Sequence, residues 1–304
     1  MTGISTHSFY ERSIGNMTSL RARAETLQTQ IATEQRLQRA SDDPVAARQL
    51  RRLAADDTMA AVYKNNAAVA AADLGLAEDA IDQLSNLTIR AQELATQAAT
   101  GTINDAQRKI IGDELEQIHT SMVAIMNTRD SSGNPLFGGA ANGPAYAVAA
   151  DGSASYAGSG QPAELDVGGG IVISRGLTGP DLLNYSVGGT PTDLLSVVRG
   201  LAVSVQAGAP GAASDARTAL DSLTAGLDTL SAGQAVIGAR QGRVELAVTL
   251  AIDQAEARAA DRIRLGETDM PTAIAELQEA MTILEASQAS FTKLSSLSLF
   301  DYLR

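Results

Sequence analysis

Residues 39–50 read RASDDPVAARQL, and this stretch raises a choice between an acidic catalytic site and the start of a long helix. Asp43 directly precedes Pro44. This order is typical of a helix N-cap followed by the first helical residue, because the carboxylate accepts free backbone N–H groups and proline has none to leave unpaired. Two carboxylates that act together in catalysis need a histidine, lysine or metal nearby, and both histidines of the chain lie far away in sequence. The stretch therefore predicts a helix start, with Asp43 and Pro44 as its cap residues.

A long helix is expected to follow Pro44. Residues 45–98 contain no proline and one interior glycine, Gly75. At 1.5 Å per residue, a helix of this length would extend for roughly 80 Å. Apolar residues at helical spacing mark one side of it, and the same pattern continues near residues 111–125 and 220–264. These segments predict a bundle of long helices.

Both ends of the chain carry a narrow apolar stripe with steps of three and four residues, which is the spacing of a coiled coil. Neither helix can bury such a stripe alone, so the two helices are expected to need each other or a neighbouring subunit. The N-terminal stripe consists of Met17, Leu20, Ala24, Leu27 and Ile31, and the C-terminal stripe of Ile274, Leu277, Met281, Leu284, Gln288 and Phe291.

Residues 131–191 differ in composition from the segments on either side. They hold 14 of the 27 glycines and five of the eight prolines, but only five charged residues. Glycine and proline disfavour helices. The short runs AYAV, ELDV, GIVIS and NYSV, which lie between turn-forming residues, favour strands. This segment is predicted to be a small β-rich insert, with the GGG at 168–170 as a turn rather than a phosphate-binding loop.

The predicted fold class is mainly α: an elongated helical bundle with long coiled-coil-like N- and C-terminal helices and a small β-rich inserted domain. We expect the chain termini at one end and the insert at the other. The expected segments are an N-terminal assembly helix that pairs with the C-terminus (1–40), the N-terminal half of the long-helix bundle (41–130), the insert as an outer domain (131–191), the C-terminal half of the bundle (192–265) and a C-terminal assembly helix (266–304).

Composition and charge narrow the class of function. A net charge of −12 argues against nucleic acid and against an anionic membrane surface as partners. Only 3% of the residues are aromatic and cysteine is absent, so neither an aromatic ligand pocket nor a thiolate metal site is expected. His119 is expected on the polar face of its helix rather than as a ligand. The sequence predicts no enzyme, and no catalytic, cofactor-binding or metal-binding residue.

Five stretches resemble the flagellin superfamily. SDDPVAARQL (41–50) resembles the start of its second helix, and residues 89–118 are similar to a helix, a glycine-containing turn and the next helix of that superfamily. GNPLFGG (133–139) is similar to the point where the chain enters the outer domain. The opening GISTHSFYERS (3–13) and the closing ASQASFTKLSSLSLFDYLR (286–304) resemble the termini of the superfamily members that join hook and filament.

This resemblance implies an axial structural protein of the bacterial flagellum. Its expected partners are identical subunits in a ring, the hook-associated protein on the hook side, flagellin on the filament side, and an export chaperone at the C-terminal helix. The expected location is extracellular, after export without a cleaved signal peptide. The implied assembly interface consists of Met17, Leu20, Leu27, Ile31, Ile274, Leu277, Met281, Leu284, Phe291, Leu297, Leu299 and Phe300.

Two alternatives remain open from the sequence. Filament flagellin itself shares the terminal pattern, although its C-terminus does not usually end in the Ser-Leu-Phe-Asp-Tyr-Leu run found at 298–303. A coiled-coil interaction protein without a flagellar role would instead have a β insert that binds a ligand and terminal helices that are already folded in the monomer.

Overall fold

The computed structural model describes residues 3–100, 103–130, 132–208 and 211–302, with side chains described for all of these except 3–7 and 294–302. Contacts divide the chain into two compact units. The terminal unit comprises Met1–Thr58 and Gln254–Arg304, and the central unit comprises Met59–Asp253. Both terminal segments of the chain therefore belong to one unit, and the predicted insert belongs to the other.

Helices dominate the described residues. The three helices before the insert are α1 (Gly3–Thr33), α2 (Pro44–Ala99) and α3 (Asp105–Met126). The insert contains a short helix, α4 (Gly179–Leu183), and it is followed by α5 (Leu194–Gln206), α6 (Ala212–Gly266) and α7 (Met270–Tyr302). The prediction of a mainly α chain with long terminal helices is confirmed, and the helix expected over 45–98 is α2.

The core of the central unit is built from aliphatic side chains at coiled-coil spacing. Along α2, a buried residue recurs every three or four positions from Ala67 to Ala98. On α3, Leu115, Met122 and Met126 are fully buried in the same core. Phe137 is an aromatic residue that this core buries completely. On α2, small alanines alternate with leucine and isoleucine, which allows the helices to pack closely with few aromatic side chains in the core.

The insert consists of three separate antiparallel strand pairs. β1 (Tyr146–Val148) pairs with β2 (Ala154–Tyr156), β3 (Glu164–Asp166) with β4 (Val172–Ser174), and β5 (Asn184–Val187) with β6 (Thr190–Asp193). The four runs predicted as strands lie in β1, β3, β4 and β5, which confirms the β-rich insert. The sequence did not indicate α4.

Several contacts hold the insert against the helices of the central unit, and two of them involve Asn127 and Gly168. The Asn127 side chain, just beyond α3, exchanges hydrogen bonds with the backbone N–H and carbonyl of Tyr146 at 2.9 and 3.0 Å. The glycine turn between β3 and β4 packs on α2: Gly168 has φ +89°, and a Cβ there would lie 2.9 Å from the Tyr63 ring. Only glycine combines this backbone conformation with such a close approach.

His119 corrects one expectation from the sequence. Its side chain was expected on the polar face of α3, but the residue is 3% exposed and belongs to the buried side with Ile118 and Met122. Burial lowers the pKa of His119, with a nearby carboxylate, Asp193, acting in the opposite direction. Leu115 and Met122, one turn before and one turn after, are fully buried, so position 119 lies on the same buried face of α3.

Candidate assembly surface

In the terminal unit, α1 and α7 form an antiparallel pair. The rings of Tyr10 and Phe291 meet edge to face with their centroids 5.3 Å apart. Further along, the Arg23 guanidinium bonds the Glu276 carboxylate at 3.1 Å. Because the residue numbers rise on α1 while they fall on α7, the two helices run in opposite directions. The pairing of the chain ends is thus present within one subunit.

The contact seam between α1 and α7 uses the predicted N-terminal stripe. Met17, Leu20, Ala24 and Ile31 are half-buried and Leu27 is buried, so all five face inward. The facing side of α7 alternates large and small residues. Its members are Ala273, Leu277, Ala280, Leu284, Ser287 and Phe291, of which Ala273 and Ala280 are buried.

The predicted C-terminal stripe is divided between two faces of α7. Leu277, Leu284 and Phe291 lie in the seam, but Ile274 is 43% exposed and Met281 is 50% exposed. In each heptad of α7, either of two adjacent residues could occupy the second seam position: Ala273 or Ile274, and Ala280 or Met281. Adjacent residues lie about 100° apart around a helix, so only one of each pair can face α1. The small residues at 273 and 280 occupy the seam because they let the helices approach closely. Ile274 and Met281 consequently lie beside the seam, where apolar surface remains uncovered in a single subunit.

Other exposed apolar residues accompany these two. Ile283 on α7 and Phe9 and Ile14 on α1 are all exposed. A groove along the helix pair is lined by Phe9, Ser13, Asn16, Met17, Ile283, Ala286, Ser287, Ser290 and Phe291. The remaining residues of the predicted interface, Leu297, Leu299 and Phe300, lie outside the residues whose side chains are described.

The start of α2 is held by Asp43. One carboxylate oxygen, Oδ1, accepts hydrogen bonds from the backbone N–H groups of Val45 and Ala46 at 3.1 and 3.0 Å, and Pro44 is the first residue of the helix. The hydrogen bond from Ala46 holds the pKa of Asp43 below its usual range, with a further contribution from the Arg36 guanidinium. This geometry stabilises a helix terminus.

Arg36 connects three parts of the terminal unit. Its guanidinium donates to Asp43 Oδ2 at 3.3 Å and, through Nη2, to the carbonyl oxygen of Leu265 at 2.8 Å. Its backbone N–H donates to the carbonyl oxygen of Gly266 at 2.8 Å. The last carbonyls of α6, which have no partner within their own helix, are thereby satisfied. Sequence reasoning missed this role, because Leu265 is 229 residues away from Arg36.

A second ion cluster joins α2 and α6 within the terminal unit. Asp57 accepts a hydrogen bond from Arg258 at 2.8 Å and one from Arg262 at 2.7 Å. The hydrogen bond from Arg258 is the main reason that the pKa of Asp57 lies below its usual range, and the charge of Arg262 adds to this effect.

The described residues include no group of three or more His, Cys, Asp or Glu side chains that could hold a metal ion. Among the helices described, none combines the length and the apolar character needed to cross a bilayer. The candidate site of the terminal unit is therefore the exposed apolar surface beside the α1–α7 seam. Such a surface is suited to contact with another protein.

Comparisons with known proteins agree on one family. Residues 4–142 match the bacterial flagellin N-terminal helical region. The chain is 29% identical over 136 residues to flagellar hook-associated protein 3 of Salmonella typhimurium, a match that covers 45% of this chain and 43% of that protein. It is 22% identical over 313 residues to flagellar hook-associated protein 3 of Escherichia coli, covering 98% of both. The crystal structure of hook-associated protein 3 from Legionella pneumophila matches with a TM-score of 0.63 at 14% identity, over 71% of this chain and 98% of that one. The chain is therefore similar to the bacterial flagellin N-terminal helical region over residues 4–142, and to hook-associated protein 3 over most of its length.

Proposed function

We propose that the chain is a structural subunit of the junction between hook and filament of the bacterial flagellum, and that it assembles there as a ring of identical subunits. The observation that carries the proposal is the match to hook-associated protein 3 of E. coli over 98% of both chains. The proteins that this chain resembles are flagellar proteins, so the proposed role is structural and not enzymatic.

The terminal unit supplies a physical basis for assembly. Ile274, Met281 and Ile283 leave apolar surface exposed beside the seam of α1 and α7. Burial of such surface against a neighbouring subunit contributes about 25 cal/mol per Å². Contacts of this kind, between one face of a subunit and a different face of the next, close into a ring when the rotation between subunits permits it. The free energy of assembly would then come from residues that a single subunit cannot bury.

The proposed partners follow from this position. The hook-associated protein on the hook side and flagellin on the filament side would bind the two surfaces of the ring. An export chaperone would cover the C-terminal helix α7 before assembly, since its exposed apolar residues favour non-specific association. The proposed location is extracellular, on the flagellum.

Filament flagellin is the second candidate function. It is favoured by the match of residues 4–142 to the N-terminal helical region of flagellin itself. A junction subunit and a filament subunit differ in how many copies a flagellum needs, and in whether filaments form when the protein is absent.

Deletion of the gene in its native bacterium separates the two candidates. We expect the deletion strain to export flagellin into the medium while its hooks carry no filaments, and expression of the wild-type chain to restore attached filaments. Electron microscopy of the flagella and immunoblotting of the medium for flagellin provide the two readouts. Loss of the major filament protein itself would identify the chain as flagellin, and unchanged filaments would contradict both functions.

A further inference from the structure

The loop that leads into β1 contains the only Asn-Gly step of the sequence, Asn142–Gly143. Both residues and the following Pro144 are exposed to solvent. Among the residues that the structure describes, none pairs with the Asn142 side-chain amide, and none accepts a hydrogen bond from the Gly143 backbone N–H. A Cβ built on Gly143 would have no atom within 4 Å. Neither hydrogen bonds nor crowding therefore restrain the amide group or the backbone nitrogen that follows it.

These two groups are the reactants of asparagine deamidation. The Gly143 backbone nitrogen attacks Asn142 Cγ and loses its proton to water, so that an N–Cγ bond forms while the Cγ–Nδ2 bond breaks and ammonia leaves. The product is a cyclic imide. Water then opens the ring: attack at Cγ gives aspartate, and attack at the main-chain carbonyl carbon of Asn142 gives isoaspartate, whose main chain continues through Cγ. The reaction consumes one water and releases one ammonia, and it needs no oxidant or reductant.

A following glycine favours the first step. Glycine carries no side chain that would block the approach of its nitrogen to Cγ, and its backbone adopts more conformations than that of any other residue. The open space around Gly143 leaves room for the ring. Because the loop is exposed, the water that opens the ring reaches it freely.

Two other asparagines near the insert lack these conditions. Asn134 precedes Pro135, whose nitrogen carries no hydrogen and therefore cannot form the imide. The Asn127 side chain is held by its two hydrogen bonds with the backbone of Tyr146. Asn142 differs from the first in the residue that follows it and from the second in its free side chain.

We propose that Asn142 is a site of spontaneous covalent modification, where deamidation gives aspartate and isoaspartate in the folded protein. The change adds one negative charge to a segment that holds only five charged residues. The backbone is held on both sides of the site, because the Ala140 N–H donates to the Gln161 carbonyl oxygen at 3.1 Å and the Tyr146 N–H donates to Asn127 Oδ1. The modification therefore stays local. It does not depend on the proposed function.

Mass spectrometry of the full chain tests this site. The purified protein is kept in warm, mildly alkaline buffer, sampled over time and digested briefly with trypsin. Cleavage after Arg129 and Arg175 releases a peptide that contains two asparagines, Asn134 and Asn142. We expect the mass change of an NH₂ group replaced by OH to accumulate at Asn142, as aspartate and isoaspartate, while Asn134 stays unchanged. The rate should be similar to that of the excised peptide in the same buffer.

The absence of this mass change at Asn142 would overturn the proposal. A mass change that appears in the excised peptide but not in the folded chain would also overturn it, because the fold would then protect the site. Equal changes at Asn134 and Asn142 would exclude the imide route.

Two glycine variants locate the chemistry. Gly143→Ala places a methyl group beside the attacking nitrogen, where the structure has space for it, so the variant should fold normally and lose most of the mass change at Asn142. Gly160→Ala is the matched control, since this exposed glycine of the insert also has open space around it. It should deamidate as the wild type does. Equal rates in the two variants would show that Gly143 does not control the reaction and would overturn the proposal.

Discussion

Asp43 and Asp57 each stabilise the terminal unit through the groups that their carboxylates contact. Asp43 accepts backbone N–H groups at the start of α2, and Asp57 accepts two arginines of α6. The first role could be predicted from the sequence, since a cap depends on neighbouring residues alone. The second could not, because Arg258 is 201 residues away from Asp57. Both side chains therefore stabilise the terminal unit, one by a local contact and one by a distant contact.

Replacement of the cap residue tests the first role. Asp43→Ala removes the acceptor for two backbone N–H groups and should lower the unfolding midpoint by about 2–4 °C, the usual loss for one cap in a protein of this size. Asp43→Asn keeps an acceptor oxygen at the same place and should lose much less. Equal midpoints for Asp43→Ala and the wild type in thermal unfolding would show that the cap is not needed.

The Asp57 cluster predicts a dependence of stability on pH. The pKa of Asp57 is lowered in the folded chain by the hydrogen bond from Arg258, so the carboxylate stabilises the fold above the unfolded pKa of about 3.9. This stabilisation is lost as the pH falls below that value and through the folded pKa. Asp57→Asn should therefore be less stable than the wild type at pH 7, and the difference should shrink toward pH 3. Urea unfolding at several pH values measures it, and a constant difference would contradict the prediction.

Small residues determine how closely the helices approach one another. In the central unit, Gly112 on α3 faces α5 so closely that a Cβ there would lie 2.4 Å from Gln206 Cγ and 3.1 Å from the Ala202 carbonyl oxygen. In the terminal unit, Ala273 and Ala280 are the buried residues of α7 in its seam with α1. In both places the helix axes come close because the facing side chain is small or absent.

The α3–α5 contact predicts opposite effects for two glycines. Gly112→Ala should destabilise the chain by about 1–3 kcal/mol, because the new methyl group overlaps Gln206 Cγ and crowds the backbone of α5 at 3.0–3.1 Å. Gly200→Ala is the matched control, since this helical glycine has open space around it. It should stabilise the chain by about 0.4–1 kcal/mol by restricting the unfolded state. Urea unfolding followed by circular dichroism gives both values, and a stabilising Gly112→Ala would contradict the close approach.

The α1–α7 seam makes a similar prediction for alanine. Ala280→Leu should force the two helices apart and destabilise their pairing by about 1–3 kcal/mol. Ala275→Leu places the same side chain at an exposed position of α7 and should have little effect on stability. Hydrogen exchange of the α1 and α7 amides, compared between these variants, measures the change. If the α1 and α7 amides exchanged faster in Ala275→Leu than in Ala280→Leu, the assignment of Ala280 to the seam would be wrong.

For the whole molecule, the sequence predicted the fold class, the long helix α2 and the strand runs of the insert, because these depend on periodicity and turn residues. It did not predict which of two adjacent heptad positions enters the α7 seam. Ala273 and Ile274 both fit the spacing, and the choice depends on how closely α1 can approach. It also placed His119 on the wrong face and did not indicate the ion pairs of Arg175 with Asp73 and Asp130, because these three residues come from distant segments.

Met281 offers a test of assembly through residues that one subunit leaves exposed. Its side chain is half exposed beside the seam, so Met281→Asp should leave the unfolding midpoint of the isolated chain within about 1 °C. In an assembled ring, the same carboxylate would be buried without a partner, at a cost of several kcal/mol per subunit. Thr282→Asp, at the next and also exposed position of α7, serves as the control.

The decisive measurement is the number of filaments attached to cells in which the Met281→Asp chain replaces the wild type, counted by electron microscopy beside the midpoint of the purified chain. We expect an unchanged midpoint, hooks without filaments and flagellin in the medium for Met281→Asp, whereas Thr282→Asp retains filaments. Normal filament numbers with Met281→Asp, or a strongly lowered midpoint of the isolated chain, would show that Met281 is not part of an assembly contact.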